Sequence, residues 1–230
     1  KGPLAEPVRV NVADGLYTLT EPLVLLPKDG GTPQAPVIYQ AAPGAKPVFT
    51  GGRPIRGWKP GPRGLWTARI PEVAAGKWYF EQLVVDGVRA IRAKTPNQLY
   101  DYMGVTSEVA VAEAPNTFRR STEVTAESLQ SLAGLSAAEL HDVTLVAFHK
   151  WCISRRFLDG INREANELIT VGEQLKSYSG WPVNTRFHLE NFRTALDAPG
   201  EWFLDRDGTL YCVPQPGQDM SRAEVVAPVA

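Results

Sequence analysis

Turn signals recur so closely along this chain that they predict many short elements joined by turns rather than long helices. The 19 Pro and 20 Gly are scattered through all 230 residues, and Pro and Gly are the strongest local breakers of regular structure. Between them lie short apolar runs. "PVRVNV", "LYTL", "LVLL", "VIYQ" and "PVFT" succeed one another within residues 1–57 with no helical pattern among them. Val8, Val10 and Val12 alternate with Arg9 and Asn11, the period of a strand. Asp14-Gly15 marks a turn, and "PKDGGTPQAP" (Pro27–Pro36) reads as a surface loop. Such a region fits one side of a β-sandwich or the first coils of a parallel β-helix. Periodicity alone does not separate the two.

The texture changes at Trp58. "GLWTARI" alternates, and "QLVVDGVRAIRA" predicts a hairpin, with Asp86-Gly87 at the two positive-φ positions of a type I′ turn. Residues 94–120 read as irregular. "STEVTAESLQSLAGLSAAELHD" is the single helical patch: Ser136 and Glu139 have capping-box spacing, and Gly134 separates the second turn from the first. Strand signals resume at "VTLVAF", "WCISRRF", "ELITV", "TRFHLE", "EWFL" and "TLYCV", with "DRDG" (Asp205–Gly208) as a second hairpin turn. The count suits an antiparallel sandwich carrying one short helical segment.

Composition narrows the functional classes. The net charge is -1 and both signs are mixed throughout. Nucleic acid and anionic membranes require a basic field that is missing here, so neither is an expected partner. No run approaches the ~20 apolar residues of a membrane span. Cys152 and Cys212 are the only cysteines, and free thiols are favoured over a bridge between them. His141, His149 and His188 have no metal-ligand spacing, so no metal and no cofactor is expected. The chain opens almost directly into one strand and stops within another, "AEVVAPVA". It reads as a piece of a larger protein.

The segment "DVTLVAFHKWCISRRF" is the densest in chemistry. Side chains two apart on a strand share a face. If this stretch is continuous, His149, Trp151 and Ile153 point one way and Lys150, Cys152 and Ser154 the other. In "TRFHLE", Phe187 and Leu189 face the core while Arg186, His188 and Glu190 line the opposite face. These side chains suit a polar wall: His and Glu bond hydroxyls, and Trp offers an apolar platform to a sugar ring. Trp181, in the Pro/Gly-flanked "SGWPVN", is the tryptophan best placed for exposure and stacking. The competing reading is a solvated strand face with cross-strand ion pairs. Glycoside hydrolysis takes two carboxyl groups about 5 to 9.5 Å apart. Glu190, Glu201, Asp205 and Asp207 are of the right type, but none is assigned a catalytic role.

The runs "DGLYTLTEPLVLLPKDGGTPQAPVIYQAAPGAKPVFTGG", "AAGKWYFEQLVVDGVRAIRAKTPN" and "LDAPGEWFLDRDGTLY" together resemble the N-terminal region of secreted bacterial right-handed parallel β-helix proteins of the pectate-lyase-like kind, glycoside hydrolase family 141 above all. The resemblance implies a mostly β fold. Residues 1–57 would give the first β-helix strands, 58–222 an inserted antiparallel β-sandwich-like domain, and 223–230 the strand returning to the β-helix. It implies a secreted, periplasmic or cell-surface location. The partners would be a polysaccharide or oligosaccharide and the remainder of the chain's own β-helix. The catalytic acids would lie on later coils, so this segment would form a wall of the glycan groove. His149, Trp151, Trp181, Arg186, His188 and Glu190 are the candidate substrate-binding residues. The alternatives are a polysaccharide lyase, a non-catalytic carbohydrate-binding module, or a structural, adhesive β-helix protein.

Overall fold

The computed structural model describes residues 4–229. They are mostly β, with a few short helices, and they divide into two compact units. One comprises the chain up to Ile55 together with the segment from Val225, and the other runs from Arg56 to Glu224. No described helix is long and apolar enough to cross a membrane.

The first unit contains two parallel strand pairs. Val8–Val12 pairs with Val37–Ala41, Val8 opposite Val37, and Leu16–Thr18 pairs with Val48–Thr50, Leu16 opposite Val48. Gly52–Pro54 and Val225–Pro228 pair antiparallel. The expected strand at "LVLL" is absent: Leu23 to Leu26 belong to no strand and are exposed. Pro22 and Pro27 bracket the run, neither can donate a ladder hydrogen bond, and Pro27 opens a 3-10 turn, Pro27–Asp29.

The second unit holds a large antiparallel sheet. Its strands lie in the order Lys94–Thr95, Arg186–Glu190, Thr144–Phe148, Ile153–Asn162, Glu167–Glu173, Thr117–Glu123 and Thr106–Ala110, and Asp101–Tyr102 also pairs with Arg186–Glu190. A second sheet runs Ile91–Arg92, Glu201–Leu204, Thr209–Cys212, Trp66–Arg69 and Lys59–Pro60. Leu145, Ala147, Leu158, Leu168, Phe187 and Leu189 of the large sheet share a core with Phe203 of the second, and Tyr211 packs against it. The short helices Ala126–Gln130 and Ala137–Leu140 contribute Leu129 and Leu140 to that core.

Local chemistry fixes several junctions. Asp86 and Gly87 both have positive φ and join Val84–Val85 to Val88–Arg89, the expected hairpin. Ser136 and Glu139 form the reciprocal capping box. Asp205–Gly208 turns Glu201–Leu204 into Thr209–Cys212. Residues 94–120 are more regular than their sequence suggests. Thr106–Ala110 and Thr117–Glu123 form a hairpin, because Thr117–Glu123 finds a seven-residue partner in Glu167–Glu173. Both cysteines are free. Cys212 is buried and Cys152 half-buried, and burial pushes the Cys212 thiol up to about 12.

Candidate functional site

One face of the large sheet lines the core. The other is set by the register of three adjacent strands, Arg186–Glu190, Thr144–Phe148 and Ile153–Asn162. Phe148 lies opposite Arg186 and Ile153, Val146 opposite His188 and Arg155, and Thr144 opposite Glu190 and Phe157. Strand alternation therefore places Arg186, His188 and Glu190 on this outer face, with Phe187 and Leu189, both fully buried, on the inner one. The face is not uniformly solvated. Arg186 is exposed, His188 half-buried and Glu190 buried.

Glu190 is buried because it is the centre of an ion cluster. Its Oε1 accepts from Arg155 Nη1 at 2.7 Å, and its Oε2 lies 3.1 Å from His188 Nε2. Arg92 Nη1 is 3.7 Å from the same Oε1. Burial works to raise the Glu190 carboxyl. The His188 hydrogen bond and the Arg155 and Arg92 charges outweigh it and hold the group below its ordinary value. Glu81 stands outside the cluster, with its carboxylate oxygens 3.9 Å from Arg92 Nη1 and 4.0 Å from Arg155 Nη1. Aromatic rings continue the face toward the strand ends. Phe148 packs on His188 and on Tyr100, with centroids 5.3 and 4.8 Å apart, and the Arg186 guanidinium lies 5.2 Å above the Tyr100 ring.

Beyond Phe148 the chain turns. Phe148 pairs with Ile153, and His149 N–H donates to the Cys152 carbonyl at 2.9 Å. "HKWC" is thus a hairpin tip and not strand interior, which corrects the expected alternation through this stretch. His149 and Ser154, expected on opposite faces, meet instead at 2.8 Å between Nε2 and Oγ. Burial lowers the His149 pKa, so its ring is neutral near pH 7. Trp151 projects from the tip, 80% exposed. With His149, Lys150, Ser177, Tyr178, Gly180, Pro182 and Thr185 it lines a shallow cleft of about 300 Å3. Tyr178 is also exposed and carries the Lys176 ammonium 5.8 Å from its ring. The cleft therefore offers two exposed aromatic side chains, a neutral imidazole, hydroxyls and one lining cation.

Trp181 is a correction. It is 5% exposed and sits in the main core with Phe187, Leu189 and Phe192. The Gly and Pro beside it shape a loop that turns the indole inward, where a large apolar area gains most from burial. At that burial it offers no surface to a ligand.

Carboxylates of the right type are engaged elsewhere. Glu201 is buried and accepts the backbone N–H groups of Asp197, Ala198 and Lys94. Asp207 accepts from Thr209 N–H and pairs with Arg69. Asp205 accepts from the backbone N–H of Asp207, within the same turn, at 3.4 Å. These are turn and cap residues. Among the described residues, no group of three or more His, Cys, Asp or Glu is arranged to hold a metal ion. Sequence reasoning missed Glu81, Arg92 and Tyr178. Arg92 is brought beside Glu190 only by the parallel pairing of Ile91–Arg92 with Glu201–Trp202 and the adjoining antiparallel pairing of Lys94–Thr95 with Leu189–Glu190.

No family model matches the chain, and no curated protein matches it. A solved structure described as a glycoside hydrolase superposes with a TM-score of 0.75 at 24% sequence identity, over 97% of this chain and 39% of that one. The chain thus spans well under half of that protein's length. The likeness establishes a shared, mostly β fold with part of a glycoside hydrolase.

Proposed function

We propose that this chain forms a wall of the glycan-binding groove of a secreted, polysaccharide-acting β-helix enzyme, a glycoside hydrolase in class. In this reading residues 1–57 and 223–230 belong to a right-handed parallel β-helix and 58–222 to the domain inserted in it. Two features support the reading: the parallel strand pairs of the first unit and the fold likeness to a glycoside hydrolase. The observation that carries it is the cleft at the hairpin tip, where Trp151 and Tyr178 expose aromatic faces beside His149 and Ser154. Trp151 is the platform under a sugar ring, and the His149 imidazole and nearby hydroxyls bond its hydroxyls. Arg186 and His188 present a second polar surface on the outer face of the sheet, with Glu190 buried beneath it.

In this reading the catalytic carboxyl groups lie outside this chain. Glu190 is engaged by Arg155 and His188 in a buried cluster, and the oxygens of the buried Glu201 accept three backbone N–H groups, so neither is assigned a part in the reaction. This same observation favours a second reading, a module that holds glycan without cleaving it. Steady-state kinetics on the full-length protein separate the two. In an enzyme, Trp151→Ala and His149→Ala raise KM with kcat largely kept, because a platform binds ground and transition state alike. A full-length protein that binds glycan and turns over none is a binding module. Complete loss of kcat in a folded His149→Ala enzyme would make His149 catalytic and end the wall reading.

A further inference from the structure

The glycan reading does not explain Arg92, whose guanidinium lies 5.8 Å from the centroid of the Trp202 ring. The Arg92 side chain is 5% exposed, yet none of its three guanidinium nitrogens makes a hydrogen bond. Its nearest carboxylate oxygens, on Glu190 and Glu81, are 3.7 and 3.9 Å away, beyond hydrogen-bond length. A buried charge without hydrogen bonds is costly. The Glu81 carboxylate is placed unusually. One oxygen faces Arg92 at 3.9 Å and the other faces Arg155 at 4.0 Å. It straddles two guanidinium groups, bonds neither, and is half exposed to solvent.

We propose that Arg92 and Arg155 form an anion subsite for a glycan bearing a carboxylate or sulfate group, and that Glu81 is the exchangeable group standing over it. An incoming anion displaces Glu81 toward solvent and accepts from both guanidinium groups at charge-assisted distances of about 2.7–2.9 Å. Glu190 stays in place, anchored by Arg155 Nη1 and His188. Arg155 can serve both, since a guanidinium has five donors. The approach is favourable in charge. Arg186 lies on the same outer face as Arg155, opposite Phe148. This concentration of cations occurs on a chain whose net charge is -1. Arg155 is two residues along its strand from Ile153, itself next to the hairpin tip, a spacing of about 7 Å per two residues.

The proposal rests on the glycan reading and is tested with this chain by calorimetric titration of tetrasaccharides on galactan and glucan backbones. Each is prepared neutral, oxidised at C6 to the uronate, and sulfated at O6. The anionic form of a bound backbone is expected to bind about tenfold more tightly than the neutral one. An advantage for the uronate identifies a carboxylate ligand, and an advantage for the sulfated form a sulfate ester. Glu81→Gln removes the competing group and should tighten the anionic ligand about threefold while leaving the neutral one unchanged. Arg155→Gln should remove the anionic advantage. Equal affinity for neutral and anionic forms overturns the anion subsite and leaves the glycan reading standing. Weaker anion binding by Glu81→Gln also overturns it, because a purely structural Glu81 would not be expelled. No binding by any form overturns both.

Discussion

Arg155 reaches across an entire strand to Glu190. The two belong to strands on either side of Thr144–Phe148, yet Arg155 Nη1 lies 2.7 Å from Glu190 Oε1. Neighbouring strands are about 4.8 Å apart, so the two side chains together span roughly twice that spacing. It passes the position of Val146, which is opposite Arg155 and 1% exposed although it sits on the outer face. The aliphatic stem of an arginine can cover apolar surface in this way while its head stays charged.

That relationship predicts unequal costs for the two partners. Glu190→Ala leaves Arg92 buried with no carboxylate inside 3.9 Å, and removing one partner of a buried pair costs about 3–5 kcal/mol. Arg155 is 39% exposed in its side chain, and partly exposed pairs contribute about 1 kcal/mol or less. Chemical denaturation should therefore rank Glu190→Ala well above Arg155→Ala. Equal losses would contradict the placement of Glu190 at the centre of the cluster.

The cluster also sets a pH dependence. The folded Glu190 pKa is depressed, so its contribution is fully present above the unfolded value of about 4.3 and is lost as pH falls through the folded value. Wild-type stability should drop below about pH 4.3, and Glu190→Gln should flatten that part of the profile. Glu201 acts in the opposite sense. Burial raises its folded pKa despite its backbone hydrogen bonds, so its contribution is present below the unfolded value and lost as pH rises through the folded one. Glu201→Gln should steepen the rise of stability with pH. Thermal melts of the three proteins from acid to neutral pH measure both slopes.

Trp181 and Trp151 should separate stability from binding. Trp181→Ala opens the main core and should cost about 3–5 kcal/mol, read as a lowered denaturation midpoint. Trp151→Ala removes an 80% exposed side chain, and exposed substitutions of this kind fall within about 0.5 kcal/mol. A stable Trp181→Ala protein would contradict the inward placement of that indole.

Much of the framework was readable from local chemistry. Asp86-Gly87, the Ser136–Glu139 box and Asp205–Gly208 act within a few residues, and the Arg186–Glu190 alternation follows from a period of two. The tip at His149–Cys152 was not readable, because "HKWC" contains no Gly, Pro, Asn or Asp to announce a turn. Trp181 misled in the other direction. Its Gly and Pro neighbours mark a loop correctly, but burial of the indole is decided by distant core residues. Arg92 joins the candidate site only through pairings between remote segments, and Glu81 only through its approach to Arg92 and Arg155, which no local window contains.

This chain alone is expected to hydrolyse no glycan. The reaction needs two positioned carboxyl groups, one to give a proton and one to act as nucleophile or base. Release of reducing ends from the oligosaccharides it binds, followed over hours at several pH values, should stay at background. Turnover that survives substitution of Glu190 and Glu201 would reveal a carboxyl pair elsewhere in the chain.

The most direct test of the wall reading is the affinity of this chain for an oligosaccharide selected on a glycan array, compared between wild type and Trp151→Ala. Stacking and hydrogen bonding at one subsite contribute about 1–3 kcal/mol, so the variant should bind roughly ten- to a hundredfold more weakly with an unchanged melting temperature. Equal affinity in a folded Trp151→Ala protein would contradict it, and would return the hairpin tip to an exposed turn without a ligand.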